Sequence, residues 1–234
     1  MEVKEIKEGW KDLDWWYVET SKVVHERLGE LDSKGVAWCP GKSNLYKPFV
    51  LTDPADIRVV LVGQDPYPNS RHATGLAFSI PKEINISTPT HLSGKVNIPP
   101  TLENIFDEYE KDLHYGRPQT GDLSPWCSRG VLLWNAYPTC EAGRSLSHAW
   151  DEWTYLTKEV LQRVAIQGTV CVFFGSVAAS FAWACRDGCR TILVSHPSPR
   201  ASRASKHPFL GSRIFTRVND NLCQMGKEPI DWRL

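Results

Sequence analysis

Four short apolar runs constrain this chain more than any other feature. They are Arg58 to Val62 (RVVLV), Val131 to Trp134 (VLLW), Val170 to Phe174 (VCVFF) and Thr191 to Val194 (TILV). Each is rich in aliphatic, β-branched or aromatic side chains, and none alternates with polar residues, which predicts strands buried on both faces. Helix-like segments separate them. Thr101 to Asp112 carries Leu102, Ile105, Phe106 and Tyr109 at helical spacing, with Thr101 as the expected N-cap. Asp151 to Ala165 carries Trp153, Leu156, Val160, Leu161 and Val164. Ser176 to Ala184 is small and apolar, and Ser212 to Met225 is expected to close the domain. Strands alternating with helices predict an α/β fold: a central four-stranded, mostly parallel sheet flanked by helices on both faces. No repeat or low-complexity linker interrupts the chain, so residues 1–234 read as a single domain. Asn85 to Pro100 reads as a polar, proline-containing, exposed loop.

Each run ends in polar residues. After Val62 comes Gly63-Gln64-Asp65-Pro66-Tyr67; after Trp134, Asn135-Ala136; after Phe174, Gly175-Ser176; after Val194, Ser195-His196-Pro197-Ser198-Pro199. In an open α/β sheet, ligands bind beyond the carboxyl ends of the strands. Here those ends deliver Asp, Asn, Ser and His to one rim. One polar residue after a strand carries no information, but four ends of complementary chemistry predict a site.

Composition narrows the class. Hydrophobic residues make up 41% and charged residues 23%, as in ordinary globular proteins. No apolar run approaches the ~18 residues of a membrane span, and the first ten residues, MEVKEIKEGW, lack an apolar signal core. The expectation is an intracellular, cytoplasmic protein (or one inside a host cell, if viral) with no membrane contact. The seven cysteines are scattered, with no CxxC and no Cys/His set at zinc spacing, so reduced structural thiols and no metal are expected. Net charge is zero, yet the charges are unevenly spread. Arg186, Arg190, Arg200, Arg203, Lys206, Arg213 and Arg217 face only Asp187 in their segment, while Glu103 to Asp122 is mostly acidic. One basic face could hold a phosphate backbone on a neutral molecule; a solvated charged surface is the plain alternative.

GQDPYP followed by GLAFSI, then LLWNA, then HPSP, resembles the family 1 uracil-DNA glycosylases. Gly9-Trp10-Lys11, the run Pro100 to Phe106, Gly130 to Asn135, and Ser147-His148 with Trp153 sit in the family order, so the likeness extends from about Trp10 to Asn221. Pro68 stands where His is commoner and resembles a bacterial branch. The resemblance implies an N-glycosyl hydrolase that flips uracil out of DNA, cleaves its glycosidic bond and leaves an abasic site, without cofactor or metal. It also implies a monomer, with uracil-containing DNA and proteinaceous inhibitors of such enzymes as candidate partners.

It further implies roles. Asp65 would stabilise the cation that builds on the sugar and orient a water; alone, an Asp-Pro pair is usually a turn former. His196 would donate, as a neutral imidazole, to the uracil oxygen that gains charge; a lone His is more often structural. Asn135 would accept from uracil N3–H and donate to O4, a pattern that cytosine inverts. Phe78 would stack on the flipped base, Tyr67 would collide with the thymine methyl, and Gln64 would lend its backbone to uracil. Core packing or a turn is the plain reading of each. Pro99-Pro100-Thr101, Gly175-Ser176 and the Ser198 loop would clamp successive phosphates; Thr101 keeps the hydroxyl of the family's commoner Ser.

The chain departs from the family pattern in two places. Arg200 stands where the family has an apolar wedge Leu, and the segment after it is longer and adds Arg203 and Lys206; the loop Asn85 to Ile98 is also longer. Both changes flank the DNA groove, which predicts ordinary base selectivity with altered DNA affinity or salt dependence. The alternative reading is a catalytically weak DNA-binding scaffold or polymerase accessory of the same fold. The intact set Asp65, Asn135 and His196 argues against it, since binding alone requires neither an acid nor a leaving-group donor. No GxxxxGK[ST] or GxGxxG follows any strand, so a nucleotide-binding fold is disfavoured.

Overall fold

A computed structural model describes residues 5–86, 98–199, 201 and 208–234. Its main sheet has the order β3-β2-β5-β6, all parallel. β2 is Val59–Gly63, β3 Val131–Asn135, β5 Val170–Phe174 and β6 Arg190–Val194. β1 (Trp38–Cys39) and β4 (Cys140–Glu141) form a separate antiparallel pair. Helices α1 (Glu19–Ser33), α2 (Lys47–Leu51), α3 (Pro100–Leu113), α4 (Ser124–Cys127), α5 (Asp151–Val164), α6 (Gly175–Ala179) and α7 (Ile214–Gln224) complete the described elements, with short 3₁₀ turns between them.

Alternation along β2 explains the two layers. Val59 and Leu61 enter a core with Phe106 of α3, Trp126, Phe215 of α7 and Trp232. Val60 and Val62 enter the opposite core with Trp10, Trp15, Phe49 and Trp153 of α5. Successive strand side chains point to opposite faces, so an unbroken apolar run is what two covered faces require. β2, β3 and β5 are buried throughout.

β6 departs from that expectation. It is an edge strand with Ile192 and Val194 buried and Leu193 52% exposed. Its apolar run hides an open face carrying Thr191 and Leu193, whereas β3, at the other edge of the sheet, is buried throughout; which face is covered depends on tertiary packing and not on local sequence.

Two helix expectations also change. Pro99, not Thr101, stands at the N-cap of α3; Pro100 occupies the first turn, and Thr101 lies inside the helix with no capping bond. Proline suits that turn because its missing N–H would have no partner there. The segment after β5 is not one helix, since α6 stops at Ala179 and a 3₁₀ turn follows at Ala182–Ala184.

The acidic stretch is largely absorbed into structure. Buried Glu108 accepts from the Gly211 N–H (2.5 Å) and Arg213 N–H (2.6 Å), and Asp112 accepts from Thr216 N–H (3.0 Å), which ties α3 to the start of α7. Arg117 bridges Glu103 and Asp107. No described helix is long and apolar enough to cross a membrane. All seven cysteines are free thiols.

Candidate active site

β2 and β3 end side by side, with Gly63 registered against Asn135. A Cβ at Gly63 would stand 2.8 Å from Asn135 Oδ1 and 3.1 Å from Phe78 Cζ. Only a residue without a side chain lets that carboxamide and that ring converge here. Asn135 is 5% exposed, and its carboxamide forms no hydrogen bond with the described residues. A nearly buried amide without partners is costly unless something else satisfies it.

Phe78 has φ 66°, in the left-handed region, which costs a non-glycine residue about 1–3 kcal/mol. Its surroundings hold it there. The Tyr67 hydroxyl donates to the Phe78 carbonyl (3.0 Å), and the Phe78 ring packs edge-on against Phe174, centroids 5.0 Å apart. Burial pushes the Tyr67 phenol far above its ordinary range, so it remains a donor. The Phe78 and Tyr67 rings are thus one fastened unit.

Asp65 lies two residues beyond β2, half-buried. Its carboxylate accepts from Leu146 N–H (2.6 Å) and Gln64 Nε2 (2.9 Å), and the Ser145 hydroxyl sits 2.8 and 2.9 Å from its two oxygens. The loop that supplies Ser145 and Leu146 is shaped by Leu146 at φ 59°. Gln64 therefore serves Asp65 with its side chain. Its carbonyl accepts from the Tyr137 N–H (2.9 Å).

His196 follows β6. Ser198 N–H donates to its Nδ1 (3.1 Å), so the neutral ring carries its proton on Nε2. Burial lowers its pKa, and the nearby negative charge of Asp65 opposes that only in part. The Phe78 and His196 rings lie 6.2 Å apart. A cleft of about 750 Å³ opens beside them, lined by Gln64, Ser145, Gly175, Ser176, His196 and Ser198. Asp65, Asn135, Phe78 and His196 thus form one linked neighbourhood beyond the carboxyl ends of the sheet.

The three small loops meet on the same rim. A Cβ at Gly175 would stand 3.0 Å from the His196 Cβ, so these two turns abut. Asn104 of α3 donates to the Pro197 carbonyl (2.7 Å) and ties the Pro99-Pro100-Thr101 corner to the Ser198 loop. Arg200, Arg203 and Lys206 lie outside the described residues, as does most of the loop Asn85 to Ile98. Arg186 and Arg190 sit at the amino end of β6, away from this rim, so these two arginines do not share it.

Sequence reasoning missed Ser145, Leu146, Gly63 and Asn104. Ser147-His148 pointed to the right neighbourhood. His148 itself is buried and hydrogen-bonded through Nδ1 to the Thr139 hydroxyl (2.9 Å), and the same threonine accepts from Trp153 Nε1 (2.8 Å).

Comparison with known proteins agrees with this geometry. The family described as the uracil DNA glycosylase superfamily matches residues 49–223. The chain is 41% identical to the uracil-DNA glycosylase of Mycobacterium sp. (strain KMS), covering 95% of this chain and 96% of the relative. It is 38% identical to that of Thermobifida fusca, over 93% and 92% of the two chains. Among solved structures, the mimivirus uracil-DNA glycosylase superposes with a TM-score of 0.83 at 23% identity, covering 100% of this chain and 90% of that one. The Nitratifractor salsuginis enzyme gives 0.62 at 19% identity, covering 97% and 94%.

Proposed function

Because the chain belongs to the uracil DNA glycosylase superfamily and excises uracil from DNA in repair, we propose that Asp65, Asn135 and His196 perform that excision around one extruded nucleotide. Breaking the N-glycosidic bond leaves positive charge on the sugar and negative charge on the base. Asp65 answers the first: its carboxylate is held by donors from Gln64, Ser145 and Leu146, and its remaining lone pairs can orient a water. His196 answers the second: Ser198 fixes the tautomer so that Nε2–H faces the departing base as a neutral donor. This engaged Nδ1 is the observation that carries the reading, since a ring with the opposite tautomer would present an acceptor to a developing anion.

Base choice rests on Asn135, Phe78 and Tyr67. An amide that accepts from N3–H and donates to O4 would leave both groups unpaired with cytosine, worth about 10⁴-fold or more in favourable cases. Phe78 offers a face for stacking, worth about 1–3 kcal/mol per base. Tyr67, locked by its hydroxyl, cannot swing away from a thymine methyl.

The loops at Pro99-Pro100-Thr101, Gly175-Ser176 and Ser198 grip the phosphates flanking the flipped base, and the chain acts as a single-domain cytoplasmic monomer. Arg200, Arg203 and Lys206 contribute phosphate pairing that steepens the salt dependence of binding. Measured salt slopes equal to those of an Arg200→Leu, Arg203→Ala, Lys206→Ala variant would refute that last point. A uracil-release assay on a uracil-containing oligonucleotide, with wild type beside Asp65→Asn, tests the whole. Turnover should fall by several orders while DNA binding survives; full-rate release by the variant would remove Asp65 from its role.

A further inference from the structure

We propose that Cys171, Cys185 and Cys189 form a binding site for a thiophilic divalent cation of the zinc class, at the opposite end of the sheet from the uracil site. The three Sγ atoms all lie within 4.8 Å of one another, and Cys171 and Cys189 are 3.5 Å apart. Tetrahedral zinc with bonds of about 2.3 Å separates its sulfurs by about 3.8 Å. The Cys171–Cys189 spacing is close to that value, and the Cys185 sulfur lies within 4.8 Å of both.

The fold brings these sulfurs together although the chain separates them. Cys171 is the second residue of β5 and is fully buried. β6 lies beside β5 with Thr191 registered against Cys171, which places Cys189 just before the neighbouring strand. The chain reaches β6 through the turn from Cys185 to Cys189. That turn is closed by Cys189 N–H donating to the Arg186 carbonyl (3.1 Å) and by Gly188 at φ +85°. Arg186 N–H donates to the Ala165 carbonyl (2.8 Å) and Arg190 N–H to the Thr169 carbonyl (2.9 Å), so both arms are anchored. The donors are preorganised, which lowers the cost of binding.

The chemistry fits a soft or borderline divalent cation. Three thiolates bring three negative charges, which a divalent ion balances more closely than a monovalent one, and sulfur selects against magnesium and calcium. The thiolate is the metal-binding form, so a bound cation displaces the thiol protons to solvent. Cys185 and Cys189 are half-buried, and a surface groove lined by Gly188, Arg190 and Lys227 reaches Cys189, which gives an entry path. Among the described residues no fourth protein ligand joins the three, so water or a small thiol would complete the coordination.

From Cys171 to Gly175, where the catalytic rim begins, β5 rises by roughly 13 Å. The ion would therefore fasten β5, the turn and edge strand β6 together without touching the reaction. The test uses the full chain, reduced with a phosphine, stripped with a chelator and titrated with Co²⁺. The expected result is a thiolate-to-cobalt charge-transfer band that saturates at one equivalent, bleaches on adding Zn²⁺, and disappears in Cys185→Ser and in Cys189→Ser. Cys223→Ser should keep the band, and all three variants should keep uracil release. Should the serine variants fail to fold, mass-mapped alkylation of wild type decides: Zn²⁺ should protect Cys185 and Cys189 and leave exposed Cys223 reactive. The inference is overturned by a wild type with no cobalt band, by a band that survives both substitutions, or by alkylation indifferent to Zn²⁺.

Discussion

Replacing Ser145 with alanine tests whether the loop after β4 positions the carboxylate of Asp65, the proposed catalytic group. The hydroxyl lies 2.8 and 2.9 Å from the two Asp65 oxygens, but it owns one proton and so makes one full bond at a time. A hydrogen bond to a charged group contributes about 1.5–3 kcal/mol. Ser145 is exposed, so water screens the interaction and compensates part of the loss, and the lower end applies. Asp65 keeps the Leu146 N–H and Gln64 bonds and stays in place, more loosely. About 1.5 kcal/mol corresponds to roughly a tenfold loss in rate. The prediction is a tenfold lower single-turnover rate of uracil release for Ser145→Ala, with KM and DNA binding little changed. The double variant with Asp65→Asn supplies the decisive comparison. If Ser145 acts through Asp65, removing it from an Asp65→Asn background should cost almost nothing further. An unchanged rate in the single variant, or the same tenfold loss in both backgrounds, would refute the positioning argument.

The other predictions concern the pocket and its protonation. Asn135→Asp should release cytosine as well as uracil, read by product analysis on matched oligonucleotides. Tyr67→Ala should release thymine and lower the melting temperature, because it also frees the Phe78 carbonyl and the strained backbone beneath it. Gly63→Ala would place a methyl against Asn135 and Phe78, so uracil release should fall steeply while far-ultraviolet circular dichroism stays native. Burial lowers the pKa of both His196 and His148. Below the ordinary histidine value of about 6.5 the unfolded chain binds protons that the folded chain refuses, so this stability is present above that pH and is lost as pH falls from there toward the lowered values. Melting temperature and release rate should both drop on acidification, and protonated His196 would set a second donor against Ser198 N–H. Treating the protein with a chelator should leave uracil release unchanged, as measured on the same oligonucleotide.

The strands, the parallel sheet and the four polar strand ends were legible in the order of residues. Burial on both faces is written locally as an unbroken apolar run, and parallel topology sends every carboxyl end to one rim. Asp65, Asn135 and His196 stood out for that reason, and the motifs around them carried the family. Local pattern could not reveal α1, whose described core contribution is only Ser21, Val24 and Leu28 in fifteen residues. Nor could it show that Leu193 faces outward while β3, at the other edge, is covered on both faces, since that depends on what packs over each strand. Folding in three dimensions was needed to bring Ser145 and Leu146, some eighty residues downstream, onto Asp65. The same holds for Ser198 setting the His196 tautomer and for three scattered cysteines sharing one corner. Each of these contacts depends on how the chain crosses or turns and on strand order, and none of those leaves a periodic signature in the residues concerned.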